Sequence, residues 1–552
     1  MKSGNLLLKK KVKAAPFLLL LFSVFIVNGQ SDTYNYFYRV YFRDKGDNNI
    51  AGFLPTDLLS ERALMRRERN GITAPDIRDL PVCEEYIEQV TFLGLNLHST
   101  SKWMNTALFR TVQPHDPALL LGMPFVKEVK TVRVPVKKSL SGNKLDFSTD
   151  QADLPPYDRP ITMVNGQLLH NSAFEGKGIL IAVLDGGFAF ADIISSLNTL
   201  HLRRGVIKTF DFVTGSGYVY DYHTHGTAVL SILAGRTDGI IEGTAPGADF
   251  LLLRTEDTGS EFPVEEDYWV AAAEYADSAG ADIISSSLGY STFDDPELDY
   301  KFADLDGNST FITRAADIAA SKGMLVFSSA GNERNKEWIR IMAPSDGDSV
   351  IAVGAVDGNG IISVFSSSGP SSDGRIKPDN TTMGVSVTIQ TSESSVARSS
   401  GTSFSCPVLS GMTACLMQAV PDATNTEIIE ALRSSSDRFN SPDSLYGYGI
   451  PDMALALKKL QDLHIQIPDN ETFASPNPTT GEVEVIFKEP PGKIIIEIFS
   501  SLGALVYRKD FTEYAGRSLR LSALNKAGQG IYFLRLRTGT GVYLHKIIKL
   551  SN

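Results

Sequence analysis

Three short segments of this 552-residue chain carry residues that could do chemistry together. Ile181-Ala-Val-Leu-Asp185-Gly-Gly187 is an apolar run ending in a carboxylate. The two glycines after it let another piece of chain approach closely. His223-Thr-His225-Gly226 precedes an apolar helical pattern, and Gly226 permits a tight approach at that helix start. Ser400-Gly-Thr-Ser403-Phe-Ser405-Cys-Pro407 leads into a second apolar helix, Val408–Ala419. A serine near a helix N-terminus has free N–H groups and a positive dipole beside it, which favour a developing oxyanion. Alone, each segment has a plain structural reading: a strand-ending Asp, a metal-pair or helix-start His, a Ser/Thr cap. The metal reading needs further ligands at sensible spacing, and none of the eight histidines clusters with the three cysteines. Together, Asp185, His225 and Ser403 supply the orienter, base and nucleophile of a covalent relay.

The words Leu184-Asp185-Gly186, His225-Gly-Thr227 and Gly401-Thr-Ser403-Phe-Ser405-Cys-Pro407, in that order, resemble the subtilisin-like serine proteases. The resemblance spans roughly residues 160–460. It implies an endopeptidase working through an Asp185-His225-Ser403 triad. It also implies an oxyanion hole that includes Asn332, in Ser329-Ala330-Gly331-Asn332-Glu333. Ser287-Leu288-Gly289 resembles the edge segment that pairs with extended substrate. The spacing from Asn332 to Pro344 places the floor of the primary pocket near Met342, and so predicts an apolar pocket. Phe404 and Ser405 stand where the family commonly has Met and Ala. Asn380-Thr-Thr-Met-Gly384 departs from a common Ala-Pro-Gly-like stretch. Cys406 reads as buried packing. The chemistry requires no cofactor. The family often binds structural calcium, and Asp304-Leu-Asp306-Gly-Asn308 offers oxygen ligands for it.

The elements that must position these residues can be read next. Short apolar runs at Ile179–Leu184, Leu251–Arg254, Ile283–Ser287, Met324–Ser328 and Ser349–Val356 alternate with helical patterns at Thr227–Leu233, Val264–Ala279 and Thr313–Ser321. That alternation predicts an α/β fold, a parallel sheet with helices on both faces. Residues 30–150 read as a small α/β domain: a strand at Tyr36–Phe42, a helix at Leu58–Arg69, and strands at Val90–Leu97 and Phe125–Val132. Val136–Pro156 is polar and reads as a linker. Residues 465–552 alternate at period two between turn residues and predict a small β-sandwich.

Charge partitions in the same way. Residues 30–150 hold 16 basic and 15 acidic residues, residues 151–464 hold 20 and 41, and residues 465–552 hold 11 and 8. The whole chain is at −12. That balance argues against a nucleic-acid partner. The acidic excess is expected on a solvated enzyme surface and among calcium ligands rather than in a binding function. Lys2, Lys9, Lys10, Lys11 and Lys13 precede the apolar Phe17–Val27 run, the pattern of a cleaved secretory signal over 1–29. No other segment is long enough to span a bilayer.

By position, residues 30–150 resemble a propeptide. Their motifs, Leu59-Ser-Glu-Arg and Ser101-Lys-Trp-Met-Asn105 among them, resemble N-terminal regions of secreted Bacteroidetes proteases. Arg66-Arg67 reads as a helix face, not a processing site. Pro476-Asn-Pro478-Thr-Thr-Gly481, Gly528-Gln-Gly-Ile-Tyr-Phe-Leu-Arg535 and His545-Lys-Ile-Ile-Lys-Leu550 resemble a Bacteroidetes type IX secretion sorting domain. The organisation expected is signal 1–29, propeptide-like domain 30–150, peptidase 151–464 and sorting domain 465–552. The product would be secreted or held on the outer face of the outer membrane. Its partners would be protein or peptide substrates and the secretion machinery that reads the C-terminal domain. A surface adhesin on a protease-like scaffold is the rival class, disfavoured by the complete triad with Asn332.

Overall fold

The computed structural model describes residues 35–135, 144–145, 147–149, 157–393, 396–464 and 471–551. The expected signal segment, and most of the expected linker, lie outside the described residues.

The N-terminal region is an antiparallel sheet of β1 (Tyr36–Phe42), β2 (Asn96–Ser101), β3 (Thr106–Thr111) and β4 (Val126–Arg133) in the order β2-β3-β1-β4. It carries helices α1 (Glu61–Arg69) and α2 (Glu84–Thr91). The strand expected at Val90–Leu97 is therefore a correction. Tyr86, Ile87 and Val90 lie at helical spacing, and the helix gives way at Gly94, whose φ of 91° is left-handed. Strand pairing starts only at Asn96.

The middle region contains the expected parallel sheet. Seven strands run in the order β11-β10-β9-β8-β5-β7-β6. They are β5 (Leu180–Asp185), β6 (Val206–Asp211), β7 (Asp249–Arg254), β8 (Ile283–Ser286), β9 (Leu325–Ser329), β10 (Val350–Val356) and β11 (Asn380–Met383). Every pairing among them is parallel. Successive side chains of a strand face opposite sides, so strands this apolar need cover on both faces. Ile181, Val183, Phe250, Leu252 and Phe327 pack under Leu409, Met412 and Leu416 of α6 (Thr402–Ala419). Ala182, Leu184, Leu251 and Ile284 pack on the other side, against Trp269, Ala273 and Ala276 of α4 (Val264–Ala279) and Ile312 and Ala315 of α5 (Phe311–Ser321). Helix α3 (His225–Ala234) is buried along its whole length. The chain goes from β5 out to β6, back to β7, then to β8 on the far side of β5. The C-terminal end of β5, where Asp185 sits, is thus the point at which strand order reverses, the place where open α/β sheets bind ligands.

The C-terminal region is two antiparallel sheets around one core. β12 (Thr472–Ser475), β13 (Val483–Phe487) and β16 (Ser518–Leu521) form one. β14 (Gly492–Ser500), β15 (Leu505–Tyr514), β17 (Gly530–Thr538) and β18 (Val542–Lys549) form the other. Val485, Ile496, Phe511 and Leu536 meet in the core between them. Among the described residues, no helix is long and apolar enough to cross a membrane.

One sequence expectation about charge fails. The acids of α4 are buried beneath the N-terminal region, not solvated. Arg39 forks onto Asp267 at 2.8 and 2.6 Å. Arg66 and Arg67 of α1 both pair with Asp277, Arg67 at 2.7 Å, and all three side chains are 1% exposed or less. Glu274 accepts from Ser101 Oγ at 2.5 Å and from the backbone N–H of Lys102 and Trp103 at 2.9 and 3.0 Å. The face is a docking surface. Its partners lie some 170 to 230 residues away in sequence, beyond the reach of any periodicity argument.

Candidate active site

Asp185 ends β5 fully buried, and His225 opens α3 at 4% exposure. The imidazole Nδ1 lies 2.8 Å from Asp185 Oδ1 and 3.0 Å from Oδ2. The carboxylate also accepts from Gly186 N–H at 2.7 Å. The close approach rests on glycine. A Cβ at Gly226 would lie 2.5 Å from Gly187 O, to which Gly226 N–H donates at 3.1 Å.

Ser403 is the second residue of α6, so its N–H is one of the helix's unpaired leading donors. Its Oγ donates to Ser287 O at 3.2 Å, and Ser287 Oγ donates back to Ser403 O at 2.8 Å. Ser403 and His225 line the same cleft, of about 780 Å³. The Phe404 ring sits 5.9 Å from the His225 ring.

Asn332 lies across the cleft. Its Oδ1 accepts from Thr402 N–H at 2.9 Å and Thr402 Oγ1 at 3.0 Å. Those two donors fix which end of the amide is oxygen. The Nδ2 end is then the one free to donate into the cleft beside Ser403. Ser287, Leu288, Gly289, Gly331 and Met342 line the cleft as well. Met342 is wedged between two glycines: a Cβ at Gly331 would lie 2.9 Å from its Cγ, and one at Gly289 3.0 Å from its Cβ. Ala330 is different. It is fully buried in the core, with its N–H bonded to Val353 O and its carbonyl to Met342 N–H. Cys406 is buried and its thiol pushed up to about 12 by desolvation, so it is no nucleophile.

Sequence reasoning missed a further set. Lys144, Leu145, Phe147 and Ser148, from the stretch expected to be a linker, line this same cleft. The Phe147 ring lies edge-on to His225 at 5.8 Å and to Phe404 at 5.6 Å. Ser148 O accepts from Ser399 Oγ at 2.8 Å. Leu145 covers Gly186, where a Cβ would lie 2.2 Å from Leu145 Cδ1. Lys144 reaches Glu256, Glu261 and Glu265. The apolar-basic composition Lys144-Leu-Asp-Phe147 inside a polar stretch was the available signal.

The loop expected to offer calcium ligands has its carboxylates engaged within its own turns. Asp306 accepts from Asn308 N–H, Ser309 N–H and Ser309 Oγ, and Asp304 from Lys301 N–H, so these carboxylates cap their own turns. Among the described residues, the acidic group that converges closely enough to hold a metal is Glu256, Glu261 and Glu265.

Residues 176–449 match the model of the subtilase family. The middle region belongs to that family. Residues 37–151 match the peptidase S8 propeptide domain of Bacteroidota, and residues 475–550 the secretion system C-terminal sorting domain. The thermostable alkaline protease of Halalkalibacterium halodurans is 29% identical over 294 residues, covering 52% of this chain and 70% of the relative. Subtilisin E of Bacillus subtilis is 28% identical over 311 residues, 56% of this chain and 72% of its own length. The thermophilic serine proteinase of a Bacillus species is 30% identical over 275 residues, 50% of this chain and 60% of the relative. This subtilase is a subtilisin-like serine endopeptidase with a propeptide domain before its catalytic region and a sorting domain after it.

Proposed function

We propose that Ser403 is the nucleophile, His225 the general base and acid, and Asp185 its orienter, in an exported peptidase that works through an acyl-enzyme. The observation that carries this is the buried Asp185–His225 contact at 2.8 Å, opening onto the cleft that Ser403 lines. Ser403 Oγ turns from Ser287 O to His225 when substrate fills the cleft; such bonds are often unmade until then. The oxygen attacks the peptide carbonyl as its proton passes to His225 Nε2. Asp185 holds the Nδ1–H tautomer and stabilises the cation. Asn332 Nδ2 and Ser403 N–H receive the oxyanion. His225 returns the proton to the leaving amine, and water then repeats the sequence on the ester. Ser287–Gly289 pairs with the extended substrate, and Met342 forms the apolar floor beneath the residue before the scissile bond.

The same reading assigns 1–29 to a signal, 30–150 to an inhibitory propeptide, 151–464 to the peptidase and 465–552 to export across the outer membrane. The matched sorting-domain model supports export. Fluorophosphonate should label the matured protein, and Ser403→Ala should abolish the label. A folded, matured chain that takes no label would overturn the assignment and favour an adhesin.

A further inference from the structure

The cleft has an acidic extension that the triad does not use. Glu256, Glu261 and Glu265 lie between the end of β7 and the first turn of α4 and present carboxylate oxygens to one point. That point is held by the Lys144 ammonium, whose Nζ is 2.6 Å from Glu256, 2.9 Å from Glu261 and 2.6 Å from Glu265. An ammonium has three N–H donors, and the pocket supplies three acceptors. The acceptors are fixed from behind. Tyr290 OH donates to Glu256, and the N–H groups of Asp257 and Phe262 donate to Glu265 at 2.7 and 3.1 Å.

Lys144 comes from outside the peptidase region and lies in the cleft that Ser403 lines. From it the chain passes over Gly186 with Leu145, sets Phe147 against His225, and leaves by Ser399 with Ser148. A substrate laid in the same direction would have the acidic pocket on the amino-terminal side of its scissile bond. With Lys144 in place Glu256 and Glu265 are almost wholly buried, at 2% and 0% exposure, and removing the propeptide would leave three carboxylates facing one another. Such a cluster is relieved by a cation or by protonation.

We infer that Glu256, Glu261 and Glu265 form a substrate subsite for a lysine side chain, upstream of the scissile bond and separate from the apolar pocket at Met342. The inference rests on the triad reading above. Three convergent oxygens around a point suit an ammonium better than the planar fork of arginine.

The test uses the matured enzyme and peptides in which one lysine, arginine or norleucine is moved through the four positions before the cleaved bond. Lysine at one position, not the last, should raise kcat/KM about 10–100-fold over norleucine, the range of a charge-assisted hydrogen-bonded pair. Arginine should gain less. Glu265→Gln should bring the lysine-to-norleucine ratio towards one. Glu261→Gln should lower it and, being on the rim at 22% exposure, disturbs folding least. A flat profile in enzyme that fluorophosphonate labels overturns the subsite while leaving the triad standing. Should labelling fail, binding of the same peptides by fluorescence anisotropy still decides, and equal affinities overturn the subsite. Calcium raising Tm through Glu265, with no lysine preference, would overturn it too and make the cluster a metal site.

Discussion

At the scale of single residues, the site depends on side chains whose polar ends are already committed. Asn332 can present its N–H₂ to an oxyanion because Thr402 holds its carbonyl with two donors. Asn332→Ala should lower kcat about 10²–10³-fold with KM little changed. Thr402→Val removes one of the two anchoring bonds and should cost about tenfold, again in kcat, measured by steady-state kinetics on one peptide. That Asp185, His225, Ser403 and Asn332 meet at one cleft was legible in the sequence because each lies in a short local word, while Met342 was placed by its spacing from Asn332 and Pro344. Glu256, Glu261 and Glu265 were not, because their meaning comes from Lys144, more than 100 residues upstream. Burial pushes Glu261 up to about 7 despite the Lys144 ammonium, and raises Glu265 as well. A carboxyl with a raised pKa is neutral below it, and only the ionised form attracts lysine. The lysine-to-norleucine ratio of kcat/KM should therefore fall as pH drops from 8 to 6. Norleucine peptides alone would report the titration of the triad.

At the scale of elements, α4 serves two purposes with one helix. Its apolar face covers the sheet, and its acids seat the propeptide domain. The sequence predicts the helix over Val264–Ala279, which is where it runs, with Gly280 in the left-handed conformation at its end. The expectation of a solvated acidic surface fails at this helix, where partners for Asp267, Glu274 and Asp277 come from another domain. Asp277 bridges Arg66 and Arg67, so Asp277→Asn should cost about 3–5 kcal/mol of docking, the usual consequence of breaking a buried pair. Thermal unfolding of the full Ser403→Ala chain should show it, with Glu297→Gln, an exposed acid, as control. Beside this seat, His98 of β2 lies against Tyr268 and Phe37, with Nε2 3.0 Å from Phe212 O. Burial first, then the charge of Arg110, pull its pKa down to about 4, with nearby Asp211 opposing. Between about 4 and 6.5 an undocked His98 binds a proton that the docked one does not, so docking weakens as pH falls through that window. His98→Gln should flatten the fall in Tm between pH 7 and 5.

At the scale of the whole molecule, charge is unevenly distributed among the three regions. The N-terminal region brings arginines and a lysine to an acidic face of the peptidase. The C-terminal region meets the peptidase differently. Ala515 N–H donates to Ser172 Oγ at 2.8 Å, Asn171 to Glu513 at 3.2 Å, and Tyr514 tilts against Phe174 at 5.9 Å. Arg517, 2% exposed, pairs with Asp462 and, at 3.0 Å, with Glu489 of its own domain. Alternating strands and turn words made this sandwich legible, but its seat on the peptidase was not, because those contacts join the end of β15 to helix ends far away in sequence. The sandwich has a core of its own, joined to the peptidase core through Phe174 and Ala515, so the peptidase should fold without it. Deleting residues 470–552 should leave fluorophosphonate labelling of matured enzyme intact and abolish its appearance outside the cell. Arg517→Ala separates docking from recognition: it loosens the seat yet leaves the strands Gly530–Thr538 and Val542–Lys549 in place, so export should continue. If the truncated chain still reaches the medium, as judged by immunoblot of cell-free supernatant, the sorting role is wrong and the sandwich must be read as a binding module.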